Sequence, residues 1–150
     1  MEPESGTANI RSVQSRHWKR WLGVEHCCIV PFSSSSEFNK EVGREIWFPL
    51  DEGRPLAAFA RLWTNWTSGR KVREDETTND LFGFVRTEPN AEVRAVHPKA
   101  MPVILTTPAE VETWLSASQE EALKLQRPLP DGALQIVARG VKKDGDLPAV

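Results

Sequence analysis

The stretch Ala95-Val96-His97-Pro98-Lys99-Ala100-Met101-Pro102-Val103-Ile104-Leu105 constrains this chain more than any other. Its two prolines fix φ and withhold two backbone donors. Around and beyond the second comes a run of β-favouring apolar residues. The segment reads as a stiff connector that ends a helix and leads into a buried strand over Met101 to Leu105. One of three histidines rides on that connector. An imidazole there can give or take a proton, because its unperturbed pKa is about 6.5. A histidine beside a proline is also a common hydrogen-bonded corner, and taken alone that is the favoured reading.

The neighbouring stretches fill in the elements. Ser15 to Leu22 reads as a short helix with Ser15 as N-cap and Gly23 as its stop. Trp18, Trp21 and Leu22 would form its apolar stripe, and Arg16, Lys19 and Arg20 its wet face. His26 to Phe32 reads as a buried strand. The four serines Ser33 to Ser36 form a polar loop that delivers Glu37 and Phe38. Glu45 to Leu50 and Leu56 to Trp63 are strands, joined by a hairpin-like connector at Asp51 to Arg54. Thr64 to Asn79 is polar and reads as a surface loop, and Asp80 to Arg86 as a strand. Thr87 caps a short helix reaching about Val96, where Pro98 stops it. Thr107-Pro108-Ala109-Glu110 is a capping box with proline at the first helical position, and Val111, Trp114 and Leu115 form the face of its helix. Ser118 to Glu121 repeats the signature. Leu134 to Ala138 is a last strand.

Several strands with few, short helices predict one α+β domain over residues 1–150, built on a largely antiparallel, partly barrel-like sheet. Residues 1–7 and 142–150 read as flexible tails. A length of 150 residues supports a sizeable core. The net charge of −2 gives no global pull towards nucleic acid or anionic lipid, so any nucleic-acid site must be a local patch. No apolar run approaches the roughly 18 residues of a membrane span. Cys27 and Cys28 are adjacent and fit no metal or redox motif, and the histidines show no zinc spacing, so neither metal nor cofactor is expected. The acidic N-terminus is not a secretory signal, which makes the cytoplasm the default. The six tryptophans are all core candidates.

Four groups can carry chemistry. His97 is one. Glu37, beside an aromatic at the end of a buried strand, can exchange protons if burial raises its pKa. Asn9 and Arg11 share a face of any strand they occupy, so an amide can orient an amine or sugar oxygen while the arginine holds a phosphate. Arg16, Lys19 and Arg20 mix with Trp18 and Trp21 as in single-strand binders, but an amphipathic helix, with the tryptophans on the core and the charges in water, is the favoured reading. Cys28 is most simply a small buried hydrophobe, with a Cys28–His97 nucleophile pair as the reactive alternative.

In order, Asn9-x-Arg11, Cys28-Ile29-Val30-Pro31, Glu37-Phe38, Phe59-x-x-Leu62-Trp63, Thr87-x-x-Asn90, His97 with Met101-Pro102-Val103-Ile104-Leu105, and Trp114-Leu115 resemble the SOS-response-associated peptidase (SRAP) family. The likeness runs from about Asn9 to Arg139. The resemblance implies an SRAP-like fold and processing of abasic sites in single-stranded DNA. In that family an N-terminal cysteine captures the ring-opened aldehyde as a Schiff base and then a thiazolidine. By the same resemblance Asn9 positions the amine, Glu37 moves protons during ring opening and self-release, and His97 is the acid/base at the sugar. Arg11, Phe38 and Lys99 would contact DNA.

The sequence departs from the family pattern in two places. Glu2, not cysteine, follows Met1, and only eight residues precede Asn9, where the family has several dozen carrying the nucleophile and early strands. The histidine-to-methionine spacing is one residue longer than the commonest form. The expectation is a domain lacking its first strands that acts as a monomer, binds single-stranded DNA and lacks the nucleophile. The alternatives are a non-catalytic single-strand-binding module and a cysteine hydrolase using Cys28 and His97.

Overall fold

A computed structural model describes residues 9–68 and 77–140; the tails expected at 1–7 and 142–150 lie outside them. The described elements are β1 (Asn9–Ile10), one 3₁₀ turn (Lys19–Trp21), β2 (Cys27–Phe32), β3 (Ser35–Asn39), β4 (Arg44–Phe48), β5 (Ala57–Ser68), β6 (Thr77–Thr87), α1 (Ala91–Arg94), β7 (Met101–Pro102), β8 (Ile104–Leu105), α2 (Pro108–Ser116), α3 (Gln119–Leu123) and β9 (Ala138–Arg139).

β5 organises them because its two faces differ. Ala58, Ala60 and Leu62 turn one way, and Phe59, Arg61 and Trp63 the other. The larger sheet runs β1-β6-β5-β2, with β7 on β6 and β8 on β5. All its pairings are antiparallel except β1 on β6. The smaller sheet is β3-β4-β9. The whole is α+β, mostly strands, around a curled half-barrel sheet, as the pattern of runs and turns predicts.

The two faces of the large sheet carry separate cores. On one, Ala60, Leu62, Val85 and Ile10 pack with Leu22, Trp114 and Ala122. On the other, Phe59, Ile104 and Met101 meet Ile46 and Phe48 of the small sheet and Val93 and Val96 around α1. Small alanines on β5 let α2 approach, and large apolar residues on the reverse fill the space between sheets.

The connector from His97 to Leu105 is not one strand but two. β7 pairs with Arg86 and Thr87 while β8 pairs with Ala58 and Phe59. Between them Val103 N–H donates to Val85 O (2.8 Å) and Val103 O accepts from Ala60 N–H (3.0 Å). The stretch thus crosses from β6 to β5, which a straight strand cannot do, and Pro102 leaves no donor to hold it to β6 at that point.

Other elements also differ from expectation. Ser15–Leu22 is turns and a single 3₁₀ turn rather than an α-helix. Eight residues make a marginal helix on their own, and the Trp21 ring instead packs edge-on to Trp66 of β5 (5.6 Å). Ser35 and Ser36 belong to β3 rather than a loop, because β4 pairs with them from Phe48 to Arg44. The Asp51–Arg54 connector is not a hairpin, since the strands it joins lie in different sheets. Much of the polar stretch after Thr64 is strand, with residues 69–76 outside the described part. Its polar side chains pair across the ribbon, Thr67 Oγ1 with Thr78 Oγ1 (2.7 Å) and Asn65 Nδ2 to Asp80 Oδ1 (2.8 Å). Asn90, not Thr87, caps α1, accepting from Val93 N–H (3.2 Å), while Thr87 remains in β6. The last strand shortens to β9. Leu115 is exposed whereas Trp114 is buried, and Trp63 is also exposed, so the tryptophans are not all core. No helix among the described residues is long and apolar enough to cross a membrane.

Candidate functional site

Arg86 is the centre of the site. Along β6, Val85 enters the core under α2, so Phe84 and Arg86 face the gap between the two sheets. Asn9 stands beside Phe84 in the parallel β1–β6 register. Glu37 comes from the other sheet, on β3 opposite Ile46. Arg86 joins all three elements: its Nε–H donates to Asn9 Oδ1 (2.8 Å) and its Nη1–H to Glu37 Oε1 (2.9 Å). Both members of the ion pair are mostly buried, so solvent screens it weakly.

The triad lines a cleft of about 400 Å³. Trp47, Phe59 and Phe84 contribute aromatic wall, Pro102 closes one side, and Ser34 to Ser36 line the cleft beside Glu37. Apolar walls with a few convergent polar groups are the general form of a ligand site. Two groups remain open to a ligand: the Asn9 side-chain N–H₂ donors and Glu37 Oε2, none of which has a hydrogen-bond partner among the described residues.

A second set of bonds holds β1 and the connector. The Gln126 side-chain amide donates to Arg11 O (2.7 Å) and to Arg86 O (2.9 Å). Arg11 Nη1–H donates to Lys99 O (2.8 Å), tying β1's end to the loop after His97. The His97 ring is half-buried, with Nδ1 2.9 Å from Ala100 O. A carbonyl oxygen only accepts, so Nδ1 carries the hydrogen and the lone pair sits on Nε2. The turn of α1 fixes the residue further, with His97 N–H on Val93 O (2.7 Å).

The structure therefore brings Asn9 and Glu37 into one cleft, while Arg11 and Lys99, bonded to each other, lie outside its lining. His97 lies outside the lining of that cleft, on the loop that Arg11 grips. Phe38 follows Glu37 on β3 and so faces the other way, 48% exposed. Arg86, Trp47 and Gln126 are absent from the sequence-derived candidates. Arg86 was recoverable in principle: within Phe84-Val85-Arg86 it shares a face with an aromatic, next to the strand's end. Gln126 carried no such signal, because its partners are backbone carbonyls far away in the chain.

Cys28 has a different setting. It stands opposite Arg61 in the β2–β5 register. Burial pushes its thiol pKa up, and the nearby Arg61 charge only partly opposes this. No hydrogen bond links Cys28 to His97, whose Nδ1 is taken by Ala100 O. That disfavours the thiolate a cysteine hydrolase needs.

The model of the family described as SOS response associated peptidase (SRAP) matches residues 4–144. None of the curated proteins matches the chain. Among solved structures, the fold is similar to that of a protein from Bacteroides thetaiotaomicron, with a TM-score of 0.67 and 22% identity over 86% of this chain and 56% of that one. It is also similar to a protein from Bordetella bronchiseptica, with a TM-score of 0.59 and 18% identity over 90% of this chain and 64% of that one. The chain thus spans less than two thirds of the length of either.

Proposed function

This chain belongs to the SOS response associated peptidase (SRAP) family, and on that premise we propose that its inter-sheet cleft receives an abasic site in single-stranded DNA. The observation that carries the reading is the convergence of Asn9 and Glu37, from two different sheets, on one aromatic-walled cleft through Arg86. An abasic sugar has no base to shield its C1′ carbon, so the amide and carboxylate of the cleft can reach it. In this reading the Asn9 amide orients the reacting amine or sugar oxygen. Glu37 Oε2 moves the proton during ring opening and release. His97 Nε2 serves as acid/base from the connector. Arg11 and Lys99 contact the phosphates of the flanking strand, whereas Phe38 faces away from the cleft. The family's nucleophile is an N-terminal cysteine, and the half-buried Cys27 and Cys28 within the sheet do not take that part.

A second reading, a non-catalytic single-strand-binding module, is favoured by one feature: Arg86 already engages both Asn9 Oδ1 and Glu37 Oε1. Anisotropy with a single-stranded oligonucleotide carrying one abasic site, against its intact counterpart, separates the readings. The processing reading expects tighter binding of the abasic strand, and loss of that preference in Asn9→Ala and Glu37→Gln. Equal binding of the two strands, unchanged by either substitution, leaves only the binding module.

A further inference from the structure

One row of side chains runs across the cleft face of the large sheet. Cys28 stands opposite Arg61, Arg61 opposite Phe84, and Phe84 beside Asn9. Neighbouring strands are about 4.8 Å apart, which places the Arg61 backbone about 10 Å from that of Asn9. Arg61 is only 7% exposed. Its guanidinium carbon lies 3.4 Å from the centre of the Phe84 ring and 4.5 Å from that of Phe82. Its Nε–H is buried without an acceptor, and no carboxylate pairs with it among the described residues. Stacking on two rings offsets part of the cost of burying a cation, but an unmet charged donor remains expensive. The contrast with Arg86, two strand positions along the same face and bonded to two acceptors, is direct. Next to Arg61, Phe82 is 58% exposed, and Trp63 faces it across the ribbon at 37%.

We propose that Arg61 and Phe82 form a second contact point for the same strand, taking the phosphate and the base of a nucleotide that flanks the one in the cleft. The proposal rests on the single-stranded DNA reading above. A phosphate oxygen supplies the acceptor that Arg61 lacks. An exposed ring accepts any base by stacking, so the contact adds affinity without sequence preference. A strand brings an anion and a flat ring together, which a free phosphate does not, so the pair favours the strand.

The test uses an undamaged thymidine 12-mer and the whole chain, with affinity measured over a range of salt. Arg61→Leu is expected to weaken binding and to reduce the salt slope by about 0.7, the value for one phosphate on a single strand. Phe82→Ala is expected to weaken binding about ten-fold with the slope unchanged. Since Phe82 is exposed, this variant decides the matter if Arg61→Leu fails to fold: loss of affinity supports the contact, and wild-type affinity overturns it. If the wild type binds and both variants match it in affinity and slope, the Arg61 contact falls while the cleft reading, tested by abasic preference, stands. If the wild type binds no single strand at all, both fall.

Discussion

Arg86 and Glu37 form an ion pair at 2.9 Å between strands of two different sheets. Among the described residues the small sheet has no backbone ladder to the large one, so this pair and the apolar packing around Ile46 and Phe48 hold the two together. The same bond sets the width of the cleft, because one partner lies on each wall. Arg86→Gln removes a charge-assisted bond to Glu37 and leaves a mostly buried carboxylate without its cation. The expected loss is about 2 kcal/mol in urea unfolding. Glu37→Gln, which keeps an acceptor for Arg86, should cost less. A double-mutant cycle in which the two losses simply add would show that the pair contributes no coupling.

The sheet framework was legible because it rests on local patterns. The apolar runs within Leu56 to Trp63 and Asp80 to Arg86 and the two caps at Thr107 and Ser118 mark their elements without reference to anything distant. What the sequence did not show depends on partners far away in the chain. β3 looked like loop because serine is a poor strand former, and only β4 makes it a strand. Arg86 looked like a strand-end cation until Glu37, 49 residues earlier, faced it. The split of Met101–Leu105 into β7 and β8 needed both recipient strands in place. Asn9 and Glu37 were found by family order rather than by spacing, since no local pattern places two sheets face to face.

Glu110 ties the start of α2 to the loop after α3. Its carboxylate accepts from Thr106 N–H (2.8 Å) and from Arg127, whose Nη1 also reaches Ile104 O (3.2 Å). The reciprocal bond of the expected capping box therefore goes to Thr106 rather than to the cap residue Thr107, which accepts from Glu110 N–H (3.2 Å). Burial pushes the Glu110 carboxyl up, but the Thr106 bonds and the Arg127 charge outweigh it and hold the group below the usual carboxylate range. Such a group stabilises the fold above its unfolded pKa and loses that contribution as pH falls through its folded pKa. Glu110→Gln should thus cost about 1 kcal/mol near neutrality, with Arg127 partly screened. The gap between variant and wild type should close progressively below about pH 4. A gap that stays constant from pH 7 to pH 3 would remove the charge from the explanation.

The vicinal cysteines point to opposite faces of β2, and both are hard to ionise. Burial, then the neighbouring Cys28 and Glu25, push the Cys27 thiol up to about 11. Burial raises Cys28 too, against the pull of Arg61. Since the thiolate is the reacting species, Cys27 should alkylate at pH 8 about 100-fold more slowly in the folded protein than in urea. Arg61→Leu should slow Cys28 further, because it removes the opposing charge. Iodoacetamide labelling followed by peptide mass mapping reads both sites separately. Rates in the native protein equal to those in urea would contradict this burial and restore Cys28 as a candidate nucleophile.

Trp114 is the bolt between α2 and the sheet. It is 1% exposed, and its indole Nε1–H donates to Cys28 O (3.0 Å) at the outer strand β2. That carbonyl faces β5 in the register that pairs Cys28 with Arg61, so the indole is an added donor on a ladder carbonyl and clamps α2 to the sheet as well as filling the core. Two substitutions separate these roles. Trp114→Phe keeps most of the apolar volume and deletes the donor, which should cost about 0.5–1.5 kcal/mol, because the carbonyl still faces β5 in the ladder. Trp114→Ala removes the ring as well and should cost about 3–5 kcal/mol. Equal losses for the two would mean that the hydrogen bond, and not the ring, carries the contact.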